Sequence, residues 1–173
     1  TQRRLTDMNP FIQDARSRLR AWKQLRHDIQ AQQDPQQQIQ ITLEFWRQAP
    51  LERPLIDWDH CENWPTAWEL LHNNRFCESS LSLAVALSLL YSDVAGWDQT
   101  QLVLITDRQH HVQKIVVQTP WALLNHGWLD IRPVADLQQM HINRKWSWNN
   151  NTWNEQALKF AHNMACSHQV PGK

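Results

Sequence analysis

Arg75-Phe76-Cys77-Glu78-Ser79-Ser80-Leu81-Ser82-Leu83-Ala84-Val85-Ala86-Leu87 opens a hydrophobic helix with a cysteine. A cysteine in the first turn of a helix meets the positive end of the helix dipole, which favours thiolate over thiol, and a histidine on a facing strand can complete its activation. The sequence supplies such a histidine: two runs that read as strands follow about thirty residues later, with His110-His111 paired between them. This is the layout of a thiol nucleophile, or of a chain that keeps the fold without the chemistry.

Working outward, Leu102-Val103-Leu104-Ile105-Thr106 reads as a buried strand and Val112 to Gln118 as a second. Asp107-Arg108-Gln109-His110 would be the hairpin turn between them, and Trp121-Ala122-Leu123-Leu124 a third strand after Thr119-Pro120. On the other side of Cys77, Thr66-Ala67-Trp68-Glu69 is a capping pattern that predicts a short helix ended by Asn73-Asn74. Residues 55–66 read as an irregular approach to this core.

Asn9-Pro10 is a helix start, and Phe11, Ala15, Leu19, Trp22, Leu25 and Ile29 then fall on one side at helical spacing. Asp34-Pro35 starts a second helix with Ile39, Leu43 and Trp46 on its stripe, closed by Pro50 and Pro54. A last helix is expected from Thr152, where Thr152-Trp153-Asn154-Glu155 repeats the capping pattern and Ala157, Phe160, Ala161 and Met164 follow. The expected fold class is α+β. It has an N-terminal helical arm (1–54), a core (55–140) in which the Cys77 helix packs on a small antiparallel sheet, and a C-terminal helical tail (141–173).

The formal net charge is zero, so no long-range attraction of the whole molecule to nucleic acid or to anionic membrane is indicated. Residues 1–28 nevertheless carry seven Lys/Arg against three acids. That basic arm, through Arg16, Arg20, Trp22 and Lys23, is expected to bind a protein partner in a larger assembly. No nucleic-acid recognition motif accompanies it. The longest apolar stretch, roughly Leu81 to Tyr91, is too short to span a bilayer. Three widely spaced cysteines, Cys61, Cys77 and Cys166, fit a reducing compartment better than a disulfide framework, so a cytoplasmic protein, or one incorporated into a virion, is expected.

Eleven tryptophans against three glycines leave two roles open, packing of a small core or an exposed aromatic surface for a protein or glycan. No cofactor and no metal are expected. Asp57, Asp59, His60, Cys61 and Glu62 crowd ligand types together without remote partners, and His162, Cys166 and His168 lack the second half of a zinc site. There is no Gly-rich phosphate loop.

The order of parts from Trp64 to about Asp136 resembles the transglutaminase-like cysteine peptidases of the papain-like group, especially their compact bacterial branch. The matching features are Trp64-Pro65-Thr66-Ala67-Trp68-Glu69, Cys77-Glu78, the Leu102 to Thr106 strand, His110 or His111 ahead of Val112, and Leu123-Leu124-Asn125. The resemblance implies Cys77 as nucleophile, His111 as base and Asn125 as the group that orients the imidazole. His110 is the rival base, since neighbours in a strand point to opposite faces. An oxyanion would be met by N–H groups at the helix start, joined by Asn73 or Asn74.

Arg75-Phe76 stand where the family usually has a glycine and an acid, and Ser79 stands where an acid commonly follows the cysteine. Two functions therefore stay open. One is a thiol hydrolase or acyl transferase acting on peptide or isopeptide-like amides. The other is a non-catalytic structural or interaction module, a pseudoenzyme docked through the arm. Chains of this pattern are similar to products of tailed bacteriophages, which makes a virion component the concrete form of the second.

Overall fold

The computed structural model describes residues 9–53, 56–107, 111–126 and 130–158. Asn9 caps a short 3-10 turn, Pro10–Ile12, and Asp14 accepts the Ser17 N–H at 2.7 Å to start α1 (Ala15–Ala31). The first helical stretch is thus two elements, because each of Asn9 and Asp14 offers a cap. Asp34 and Pro35 start α2 (Pro35–Trp46) as their chemistry predicts. Thr66 and Glu69 form a reciprocal capping box at α3 (Ala67–Asn73), which ends on Asn74 in the left-handed region at φ 53°.

Cys77 caps α4 (Glu78–Leu90), which is buried continuously from Ser80 to Leu89. A helix apolar on all sides needs cover on all sides. The sheet covers one flank of α4, while α1, α2 and α3 pack on the others. The sheet has six antiparallel strands in the order β4-β3-β2-β1-β5-β6. They are β1 (Gln101–Asp107), β2 (Val112–Gln118), β3 (Leu123–His126), β4 (Asp130–Arg132), β5 (His141–Asn149) and β6 (Thr152–Glu155).

Alternation divides the strand side chains between two faces. Leu102, Leu104, Ile115, Val117, Leu124, Trp146 and Trp153 join the helices in one core. Val103, Ile105, Val116 and Leu123 form a second, smaller cluster under Leu137, Met140 and Ile142.

Two expectations need correcting. The helix expected from Thr152 is strand β6, paired antiparallel to β5; the rest of that expected tail, residues 159–173, lies outside the described residues. The helices of the expected N-terminal arm pack onto the core, where Trp22, Leu25, Ile29, Ile39 and Leu43 share one cluster with α4 and the sheet. One apolar cluster runs from Phe11 to Trp153, through all three expected segments. The third strand begins at Leu123, since Thr119 Oγ1 accepts the Trp121 and Ala122 N–H groups and holds 119–122 as a turn.

Most of the tryptophans are packing residues. Trp22 and Trp46 both donate from Nε1 to Ser88 Oγ, at 2.8 and 2.9 Å, which ties α1 and α2 to the last turn of α4. Trp97 Nε1 donates to the buried Gln38 Oε1 at 2.8 Å. Trp64, Trp146, Trp148 and Trp153 meet edge to face or tilted, with ring centroids 4.9–6.3 Å apart. Trp68 and Trp121 are the half-exposed exceptions among the described residues.

Candidate functional site

The backbone around Cys77 is held on both sides. Phe76 is fully buried, forms a parallel bridge with Leu51, and accepts the Glu52 N–H at 2.7 Å. The Cys77 N–H donates to Ser80 Oγ at 2.7 Å, and the Ser80 N–H points back to Cys77 Sγ at 3.5 Å. The sulfur therefore takes the place of the usual capping oxygen, facing the unsatisfied N–H groups of the first helical turn. Cys77 is half-buried and is a free thiol, as is Cys61, whose sulfur rests against the Trp153 carbonyl of β6. Cys166 lies outside the described residues.

α4 runs parallel to β2. Its C-terminal end leads through the turn at Trp97 to Gln101, which pairs with Gln118 at the end of β2. Its second turn is pinned by Ser82 Oγ, which donates to the Ile115 carbonyl at 2.8 Å. Cys77 thus sits at the end of α4 that lies toward the start of β2, the strand into which His111 leads.

His111 is exposed, in the left-handed region at φ 53°, immediately before Val112. Asn125 is the third residue of β3. His110 lies outside the described residues. Among the described residues no hydrogen bond joins Cys77 to an imidazole, so helix and hairpin are brought to one end of the sheet without a closed triad.

Cys77 opens instead on a cleft of about 640 Å³, whose walls include Asp57, His60, Trp64, Asn73 and Arg75. His60 Nδ1 and Asp57 Oδ2 are 2.8 Å apart. The Asp57 carboxylate, by accepting that bond and by its charge, raises the His60 pKa above its ordinary value, and Glu62 adds to the effect. The same bond, first, and the Asp59 N–H, second, lower the Asp57 pKa. Sequence reasoning considered these residues only as metal ligands; the signal for a pair was the Asp-x-x-His spacing. No group of three or more ligand-type side chains that could hold a metal occurs among the described residues.

Of the two amides proposed for an oxyanion, Asn73 lines the cleft. Asn74 instead donates its Nδ2 to the Phe11 carbonyl at 2.9 Å. Arg75, also on the wall, pairs with Glu52 at 2.6 Å. Of the residues expected to bind a partner, Arg16, Arg20 and Lys23 are exposed on α1. Trp22 is not available: it is 1% exposed and bonded to Ser88. No helix among the described residues is long and apolar enough to cross a membrane.

No protein-family profile and no curated protein matches the sequence. Solved structures do match. LapG of Legionella pneumophila is similar in three structures, each at TM-score 0.60 or 0.63. The calcium-bound form, at 16% identity and TM-score 0.63, covers 86% of this chain and 87% of its own. Another LapG structure and the EGTA-treated form each show 15% identity and TM-score 0.60, covering 78% of this chain and 74% of theirs. At such identity the likeness is one of fold, an α+β fold shared with LapG.

Proposed function

We propose that this chain is a thiol-dependent amide hydrolase or acyl transferase in which Cys77 is the nucleophile, His111 takes its proton and Asn125 orients the imidazole. The observation that carries the reading is the position of Cys77, capping a buried helix with its side chain on an open cleft. The likeness in fold to LapG, a transglutaminase-like cysteine protease, supports it.

In this reading the thiol proton passes to His111 and the thiolate attacks the amide carbonyl carbon. The C–S bond forms and the carbonyl electron pair moves onto oxygen, where N–H groups of the first turn of α4 and the Asn73 amide meet it. Collapse expels the amine with a proton and leaves a thioester. Water or a second amine then accepts the acyl group, and the thiol is restored.

The test is iodoacetamide labelling of the C61S/C166S variant, with and without His111→Ala. Labelling of Cys77 at pH 6 is expected within about threefold of the rate at pH 8, falling at least about tenfold at pH 6 in His111→Ala. Labelling that occurs only on unfolding would overturn the reading.

One observation favours a second reading. The sulfur already serves as the cap for Ser80, as it would in a non-catalytic module, such as a virion component, docked through the exposed Arg16, Arg20 and Lys23. Slow labelling of Cys77 in the folded protein is the result that reading predicts.

A further inference from the structure

The cleft at Cys77 carries an imidazole–carboxylate pair that the reading above does not use. His60 and Asp57 both line it, and their 2.8 Å contact through Nδ1 leaves Nε2 as the nitrogen free to exchange a proton. We infer that His60, oriented by Asp57, is the proton donor to the leaving amine when an amide is cleaved at Cys77. The inference rests on the thiol reading and deepens it.

The pair sits on an anchored loop. Trp64 Nε1 donates to the Asp57 carbonyl at 2.7 Å, and the Asp59 N–H donates to Asp57 Oδ1 at 2.9 Å. Asp59 is held in turn by Arg144 of β5 at 2.6 Å. The groups around His60 are mainly acidic, with Asp57, Asp59 and Glu62 close by. The nearby cations have acidic partners of their own: Arg144 holds Asp59 and Glu155, and Arg75 on the cleft wall holds Glu52.

This setting favours the imidazolium, which suits an acid and not a base that must be neutral to accept the thiol proton. Environments that push two groups toward different protonation states separate acid from base. In the step assigned to it, the Nε2–H proton passes to the departing nitrogen as the C–N bond breaks, and that bond's electron pair receives it. The neutral imidazole then takes a proton from the water that attacks the thioester. The C–O bond forms, the C–S bond breaks, the sulfur leaves as thiolate, and the imidazolium is restored.

The two kinds of leaving group separate this role from any other. The probes are N-acetyl-leucyl-glycine as its p-nitrophenyl ester, whose phenolate departs without a proton, and as its amide with 7-amino-4-methylcoumarin, whose nitrogen must be protonated. His60→Gln is expected to slow acylation by the amide at least about tenfold while leaving the acylation burst of p-nitrophenolate from the ester and iodoacetamide labelling within about twofold. Asp57→Asn should move the alkaline fall of the amide rate to lower pH, because an imidazole without its carboxylate gives up its proton sooner.

Equal slowing of acylation by ester and amide, or no slowing of either, would overturn the assignment. A wild-type protein that labels rapidly and accepts the ester, yet releases coumarin no faster than His60→Gln, would also overturn it while leaving the thiol reading intact. A wild-type protein inert to both iodoacetamide and the ester would overturn the thiol reading and this inference together.

Discussion

Ser82 Oγ donates to the main-chain carbonyl of Ile115 across 2.8 Å, a side-chain hydrogen bond that joins α4 to β2. It sits five residues from Cys77 and four from His111, so it sets how the two approaching ends lie along each other. The same hydroxyl lies 3.2 Å from the Glu78 carbonyl, so its single proton is shared and favours the shorter contact. Ser82→Ala should cost about 1 kcal/mol in urea unfolding, and any Cys77 labelling rate should fall by more than that loss of stability explains.

Ser88 stands at the centre of the helical layer, accepting from two indoles and donating to the Ala84 carbonyl at 2.8 Å. Ser88→Ala strands both Trp22 and Trp46 N–H groups in a dry interior. A loss of about 2–4 kcal/mol is expected from two unsatisfied buried donors. Tryptophan fluorescence should report it twice, as a lower midpoint of unfolding and as a shifted native emission.

Arg144 forms a two-pronged pair with Glu155, at 2.7 and 2.5 Å, and reaches Asp59 at 2.6 Å, clamping β5, β6 and the loop before α3. The Arg144 hydrogen bond lowers the Glu155 pKa from its ordinary 4.5. A depressed carboxylate contributes stability that is present above the unfolded value and is lost as the pH falls through the folded one. With the Glu155 side chain 41% exposed, solvent screening holds this to under about 1 kcal/mol. Glu155→Gln should therefore destabilise modestly at pH 7, by an amount that shrinks as the pH falls through the folded value of Glu155, in paired urea titrations.

Gly96 adopts φ 94°, and a Cβ placed there would lie 2.6 Å from the far edge of the Trp121 ring. Gly96→Ala should cost about 1–3 kcal/mol from backbone strain and the clash together. Trp121 is half-exposed and meets Trp97 edge to face, with ring centroids 4.6 Å apart. In a double-mutant cycle, the added Trp121→Ala should relieve the clash and leave the backbone term, giving a measurable coupling energy between the two positions.

The parts legible in the sequence were those whose signals are local. Asp34 and Thr66 cap helices because each offers an oxygen at the right place, and the β1–β2 hairpin follows from two apolar runs of strand length. β6 was misread because Thr152 and Glu155 mimic a capping box, while the stronger signal stood just before them. Asn150 and Asn151 both have positive φ, 50° and 59°, as a tight hairpin between β5 and β6 requires.

The site divides along the same line. The helix start at Cys77 was legible because cysteine and apolar run are contiguous, and a hairpin ahead of Val112 could be read from the two flanking apolar runs. That His60 and Asp57 share a cleft with Cys77 depends on how the loop before α3 folds back, which no spacing in the sequence encodes. The stripe on α1 misled in another way. Periodicity finds the face that Trp22 occupies, but only tertiary packing tells that the face is closed by α4.

Arg18 looks like one more member of that basic helix, yet it is 7% exposed and its guanidinium reaches the carbonyls of Gln13, Leu71 and His72. It completes the last turn of α3 from more than fifty residues away, just where the chain turns toward Asn73, Asn74 and Cys77. Opening α1 would release those carbonyls and the approach to the thiol in one event. Amide hydrogen exchange in the N-terminal helix and at the Cys77 end of α4 should consequently rise and fall as a single cooperative unit, so that the surroundings of the sulfur answer to a contact made far from it.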